Sequence, residues 1–216
     1  MIMSPFPLYA VPRIYLWMRQ NWDKVADDST PADVNAFVED WLRRERGGQK
    51  SWAVLKDGEL GGVITSERIS DIVADLHCTF RREFWGRGNT VPALALACAE
   101  IFGSAVEKIT SLVYPDNRAM IGMAIANGAI KEGHLHRQVR KNGELVDLLL
   151  LGLTKENFLG SQNRLQQSKQ QLQQHQHDHE KPDSVPDSDP AEHLQDYQRL
   201  HEQPADGGSS LSASGA

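Results

Sequence analysis

One junction constrains this chain more than any other. A strand-like run, Asp71 to Phe80, enters the stretch Arg81-Arg82-Glu83-Phe84-Trp85-Gly86-Arg87-Gly88-Asn89-Thr90, and a helix-like run, Pro92 to Phe102, leaves it. Gly86 and Gly88 stand where the backbone must pass from extended to helical. Glycine reaches positive φ without steric cost and lets a ligand come close to the backbone. The first turn of the following helix carries unpaired N–H groups and the positive end of the helix dipole, a setting that suits an anion, phosphate above all. Pro92 is predicted to occupy that first turn, where its missing N–H costs nothing. Arg81, Arg82 and Arg87 place fixed positive charge beside it. The spacing is not that of a dinucleotide fingerprint, which needs a third glycine, nor of a P-loop, which needs Gly-Lys-Ser/Thr.

Three more blocks follow in order: Val113-Tyr114-Pro115-Asp116-Asn117-Arg118-Ala119, then Gly128-Ala129-Ile130-Lys131-Glu132-Gly133-His134-Leu135-His136-Arg137, then Asn142-Gly143-Glu144-Leu145-Val146-Asp147. With Phe84-Trp85-Gly86-Arg87-Gly88 and the Ala- and Leu-rich run behind it, their order and spacing resemble the GNAT N-acyltransferases, in particular the branch that acetylates ribosomal-protein N-termini, polyamines and some antibiotics. The likeness covers residues 51–158.

The resemblance implies an α/β (α+β) GNAT fold, a mixed central β-sheet flanked by helices on both faces. It implies acetyl-CoA as co-substrate and a primary amine as acceptor, with direct attack on the thioester. Backbone groups of the strand ending near Phe80 would hold the pantetheine arm and polarise the thioester carbonyl. The amides of Trp85, Gly86, Arg87, Gly88, Asn89 and Thr90 would cradle the pyrophosphate, with Arg82 among the residues that hold the co-substrate, and Asn117 would touch the pantetheine arm. Two positions depart from the family pattern. The serine expected three residues after Asn117 is Met120, which has no proton to donate, and the aromatic expected after Gly128 is Ala129. A thiol with pKa near ~8.5 is a fair leaving group unaided. A positioned acid contributes ~10²–10⁴-fold, so Met120 lowers the expected rate without excluding the reaction.

For the general base, alternation along the strand puts Asp75, His77 and Thr79 on one face and Leu76, Cys78 and Phe80 on the other. His77 is the candidate, since its ordinary pKa lies near ~6.5, and Asp75 could orient or replace it. The competing reading is a histidine satisfied by a neighbour in the sheet. Glu132 matches the family pattern in a structural role.

Around this centre the sequence predicts a helix over Val11 to Lys24 and a second starting at Ser29-Thr30-Pro31 and stopping near Gly47-Gly48. Their aromatics, Tyr15, Trp17, Trp22 and Trp41, either pack in the core or line an acceptor slot. Asp57-Gly58 between apolar runs signals a hairpin of Ser51 to Leu55 with Leu60 to Thr65. A strand over Ile109 to Tyr114 leads to a helix capped by Asp116 or Asn117. A second hairpin, Ile130 to Val139 with Leu145 to Leu153, turns around Lys141-Asn142-Gly143. Met1 to Tyr9 reads as a short edge strand or an anchored terminus.

Hydrophobic residues make up 40% of the 216 residues, enough for a real core. The catalytic domain is assigned to residues 1–159 and a disordered tail to 160–216, which holds eleven Gln and five His but few apolar side chains. Deleting that tail is expected to leave the melting temperature nearly unchanged. The tail has nine acidic and four basic residues, so of the net charge of −6 it carries −5 and the rest of the chain only −1, against nucleic-acid binding. His175-Gln176-His177-Asp178-His179 offers metal-type ligands without a closed set, and no metal is assigned. Cys78 and Cys98 form no spaced framework, which points to a reducing, cytoplasmic setting. No leader or membrane span is expected, and the domain is expected as monomer or homodimer. The alternative to an enzyme is a catalytically weak GNAT-fold assembly module whose tail recruits a protein partner.

Overall fold

The computed structural model describes residues 1–179. A compact unit spans Met1–Ser168; the described part of a second unit, residues 169–179, is helical. The first unit holds a seven-stranded sheet in the order β1-β2-β3-β4-β5-β7-β6. Its strands are β1 (Ile2–Pro5), β2 (Lys50–Lys56), β3 (Glu59–Arg68), β4 (Val73–Phe80), β5 (Lys108–Val113), β6 (Ile130–Lys141) and β7 (Glu144–Thr154). Only β4 and β5 run parallel; every other neighbouring pair is antiparallel. The helices are α1 (Val11–Arg19), α2 (Trp22–Val25), α3 (Val34–Arg46), α4 (Arg87–Phe102), α5 (Arg118–Ala126) and α6 (Lys155–His179).

The period-two pattern divides the sheet between two cores. Val54, Ile64, Ala74 and Leu76 face α4 and α5, in a cluster with Leu94, Cys98, Ile101, Met123, Leu151 and Phe158. Ala53 and Val63 face the other way and pack with Phe6 and with Ile14, Tyr15, Phe37 and Trp41 of α1 and α3. Tyr15 and Trp41 are therefore core residues, while Trp17 and Trp22 are half-buried at the edge of that cluster. The expected mixed sheet with helices on both faces is what forms.

Four local expectations shift. The first predicted helix breaks after Arg19, because Asn21 leaves helical geometry at φ −136° and ψ 36°, and Trp22 then meets Tyr15 edge-on at 5.9 Å. Ser29 and Thr30 do not start α3. The Ser29 N–H is spent on Asp27 Oδ1 at 2.9 Å, and Asp33 caps α3 by accepting from the Asn35 and Ala36 amides. Helix α4 begins at Arg87 rather than Pro92, so the proline lies inside it.

The fourth concerns residues 160–168, which belong to the first unit. Residue 160 falls within α6, and Ser161 is buried there, its hydroxyl donating to the Asn127 carbonyl at 2.8 Å. Asn127 is fully buried, and its amide donates in turn to the carbonyls of Val91 (3.2 Å) and Met123 (3.1 Å), so one side chain ties α5 to α4. Residues 160–179 are helical, and the remainder of the expected tail, residues 180–216, lies outside the described residues. Deleting 169–216 should leave the melting temperature in place. Deleting 160–216 strips the buried Asn127 carbonyl of its hydroxyl partner, a loss of about 1–3 kcal/mol, and should lower the melting temperature by several degrees in calorimetry.

Candidate active site

The glycine loop is seated from below. A Cβ on Gly61 would lie 2.2 Å from the Phe84 ring, and one on Gly62 would lie 2.1 Å from the Phe80 ring. Bare β3 backbone at these two positions lets Phe80 and Phe84 stack at 5.7 Å and hold both ends of the loop. From the β2–β3 hairpin, Lys56 donates to Asn89 Oδ1 at 3.0 Å, and Asn89 Nδ2 donates to the Phe84 carbonyl at 3.2 Å. Arg81 is neutralised by Glu59 at 2.6 Å, whereas Arg82 is exposed.

Gly86 caps α4 at φ 123°, a conformation few side chains tolerate. Its carbonyl accepts from the Asn89 amide (3.1 Å), the Thr90 amide (3.0 Å) and the Thr90 hydroxyl (2.9 Å). The Trp85 amide is likewise spent, on Arg82 at 3.1 Å. Of the six amides expected to cradle an anion, those of Trp85, Asn89 and Thr90 are thus engaged within the loop. The amides at Arg87 and Gly88 precede any acceptor in the helix, and with Gly86 they form the group that can face an anion. An added Cβ at Gly86 or Gly88 would meet nothing within 4 Å, so this backbone lies open.

A cleft starts where β4 and β5 separate. Their parallel register ends at Asp75 opposite Thr110, although β4 continues to Phe80 and β5 to Val113. The Ser111 hydroxyl closes its inner end by donating to the Leu76 carbonyl at 2.6 Å. The Arg81 amide donates to Gly61, so odd-numbered residues of β4 spend their backbone groups on β3, and even-numbered ones turn theirs to the cleft. The Phe80 carbonyl there already accepts from Trp85 Nε1 at 3.0 Å. The backbone N–H and C=O of Cys78 remain on the cleft wall as a donor–acceptor pair of the kind an amide-bearing arm can match. Sequence reasoning named Phe80 but not Cys78; the alternation of β4 carried the signal.

Asn117 caps α5 by accepting from the Met120 amide at 3.2 Å, at the cleft's far wall. The Met120 sulfur lies 3.4 Å from Cys78 Sγ, against β4. Burial pushes both the Cys78 and Cys98 thiols up to about 12, so neither is an activated nucleophile.

On the opposite face of the sheet, His77 Nε2 and Asp75 Oδ2 pair at 2.9 Å, and His77 is half-exposed. The Asp75 carboxylate outweighs desolvation and raises the imidazole above its ordinary pKa. His77 sits two residues beyond the last β4–β5 pair, on the face of α1 and α3. The two predicted catalytic residues are thus brought together, on a different face of β4 from Met120. The same face is bounded by the β6–β7 turn. Asp28 receives the Asn142 and Gly143 amides at 2.7 and 2.9 Å, and Tyr114 donates to Ala26 at 3.1 Å beneath the Lys141 ammonium. Glu132 pairs with Lys108 at 2.7 Å over the bare backbone of Gly152.

Residues 1–130 match the family model described as Acetyltransferase (GNAT) domain. No curated protein sequence matches the chain. Among solved structures, RimJ of Mycobacterium smegmatis, in complex with CoA-disulfide, superposes with TM-score 0.60 at 23% identity, over 71% of this chain and 81% of its own. Ribosomal-protein-alanine N-acetyltransferase of Brucella melitensis gives TM-score 0.61 at 16% identity, over 71% of this chain and 99% of its own. Spermidine N-acetyltransferase of Vibrio cholerae, in complex with CoA and spermine, gives 0.63 at 15% identity, over 73% of this chain and 97% of its own.

Proposed function

The chain belongs to the GNAT acetyltransferase domain family, whose model spans residues 1–130 of its 216, and from that premise we propose that it transfers an acetyl group from acetyl-CoA to a primary amine, of a protein N-terminus, a polyamine or another small molecule. The observation that carries this reading is the continuity of the cleft with the glycine loop. An arm paired with the Cys78 backbone would run along β4 toward the open amides of Gly86, Arg87 and Gly88 at the head of α4. The residues present fit the co-substrate, which would bring the activated acetyl group. The protein's part is to hold and orient it and to move protons.

Direct attack by the amine is favoured over an acyl-enzyme, because both cysteines have thiols near 12 and neither is activated. His77, oriented by Asp75 at Nε2, would take the proton from the incoming ammonium at Nδ1, and the amine would approach from the face of α1 and α3. Met120 supplies no proton to the departing thiolate, so departure relies on the thiol's own acidity. Backbone placement and orientation then carry most of the rate enhancement.

Calorimetric titration with acetyl-CoA, followed by a thiol-release assay over a panel of amines, tests the reading. Binding together with turnover of one amine class supports it. No heat at millimolar acetyl-CoA overturns it. Binding without turnover of any amine would favour the second reading, an assembly module of this fold, for which the substitution of the family serine by Met120 is the specific observation.

A further inference from the structure

The β6–β7 hairpin carries a side-chain cluster that acetyl transfer does not use. His134 pairs in register with Leu149, whose neighbour Val113 belongs to the core beneath α4 and α5. His134 therefore opens on the face of the sheet opposite His77. Directly after it the register slips: Leu135 faces Leu148 and Val139 faces Val146, so residues 136–138 stand opposite Asp147 alone. Arg137 takes φ 53° at the centre of this bulge. Alternation puts His136 on the same face as His134, and their ring centroids lie 4.6 Å apart.

Both rings converge on one oxygen. His134 Nε2 lies 3.0 Å and His136 Nδ1 lies 3.2 Å from Asp147 Oδ2. The other carboxylate oxygen, Oδ1, accepts the Arg137 amide at 2.8 Å, which fixes the carboxyl group and leaves Oδ2 facing the imidazoles. A tetrahedral ion with bonds of ~2.0–2.1 Å to nitrogen and oxygen sets its ligand atoms about 3.3 Å apart. Two of the three edges of this triangle, at 3.0 and 3.2 Å, come close to that length, and all three ligand atoms lie within 4.8 Å of one another.

The geometry points to a divalent transition-metal site, of the Zn²⁺ class, formed by His134 Nε2, His136 Nδ1 and Asp147 Oδ2. Two imidazoles and one carboxylate favour Zn²⁺, Co²⁺ or Ni²⁺ over Ca²⁺ and Mg²⁺, which prefer all-oxygen shells. Three protein ligands leave a fourth position for water. The Arg137 amide behind Asp147 is the kind of outer contact that orients a ligand toward its metal. The ion takes the ring nitrogens that face Oδ2, and each neutral imidazole carries its single proton on the other nitrogen. Bound there, it clips the β6 bulge to β7 and stiffens the hairpin.

The test uses the full chain in a His175→Gln, His177→Gln, His179→Gln background, so that imidazoles late in α6 do not contribute. Zn²⁺ is titrated by calorimetry and Co²⁺ by visible absorption, whose intensity distinguishes tetrahedral from octahedral coordination. One ion per chain is expected, with a rise in melting temperature of several degrees at saturating Zn²⁺. His134→Ala and Asp147→Asn should each weaken binding at least ~tenfold. The asparagine can still accept from the Arg137 amide, so folding is preserved and the loss reports the missing ligand charge. Unchanged Zn²⁺ affinity in the His134→Ala, His136→Ala double variant would overturn the proposal. So would Co²⁺ binding only to chains that keep His175, His177 and His179.

Discussion

Replacing Gly88 with glutamate should abolish acetyl-CoA binding while leaving the protein as stable as before or slightly more so. The two halves of this expectation have separate physical origins. Gly88 is exposed, lies in the first turn of α4, and offers open space to a Cβ. A carboxylate at a helix N-terminus is favourable, by roughly 0.3–1 kcal/mol. The same carboxylate stands where the pyrophosphate would meet the Gly86, Arg87 and Gly88 amides. Like charges ~4 Å apart near a protein surface repel by about 4 kcal/mol, so calorimetry should show affinity for acetyl-CoA falling at least ~100-fold. Thermal unfolding in the absence of ligand should show no loss. Gly88→Ala separates charge from bulk, and its affinity should stay much closer to wild type. Equal loss in both variants would mean that backbone approach, not anion recognition, governs the loop. Wild-type affinity in Gly88→Glu would place the anion elsewhere.

What the sequence made legible was what local chemistry dictates. Asp57-Gly58 and Asn142-Gly143 form the two hairpin turns, with Asp57 and Asn142 at φ 54° and 52° and their glycines at 81°. Alternation along β4 put Asp75 and His77 on one face and Leu76 and Cys78 on the other, as found. The shifted boundaries came from competition that no single position announces. Ser29 looked like a helix cap but is held in a turn by Asp27. Pro92 suggested a helix start, yet the loop supplies a better one at Gly86. The polar run from Gly160 read as tail because composition does not reveal that Ser161 meets the Asn127 carbonyl. The Arg137 amide that holds the Asp147 carboxyl comes from a bulge, and a bulge leaves almost no trace in a pattern of period two. At the candidate active site, residue types were legible while the spent hydrogen-bonding groups were not. Trp85 occupying the Phe80 carbonyl and Gly86 gathering the Asn89 and Thr90 amides are facts of three dimensions.

Removing His77 should cost ~10²–10⁴-fold in kcat/KM, the usual worth of a positioned base, and should flatten the rising limb of its pH profile. The wild-type limb should lie above the ordinary histidine value of ~6.5, because Asp75 stabilises the imidazolium. Asp75→Asn should move that limb to lower pH. The stability consequence has a definite sign. A pKa raised on folding adds stability that is complete below the unfolded value and is lost as pH rises through the folded one. The stability difference between wild type and His77→Ala should therefore shrink on going from pH 6 to alkaline solution, even as the difference in activity grows. Met120→Ser probes the other proton. Its hydroxyl would stand on the opposite face of β4, beside Cys78, where Met120 now lies. The variant should raise kcat by at least ~tenfold if a restored acid behaves as positioned acids do, while losing a few kcal/mol of stability with the partly buried methionine. Higher kcat in a less stable protein would show that the cleft kept its acyl-transfer geometry and lacked only a donor. Unchanged rates in both His77→Ala and Met120→Ser would remove both side chains from proton transfer. The Cys78 backbone and the open amides of α4 would then be left to do by orientation all that this site does.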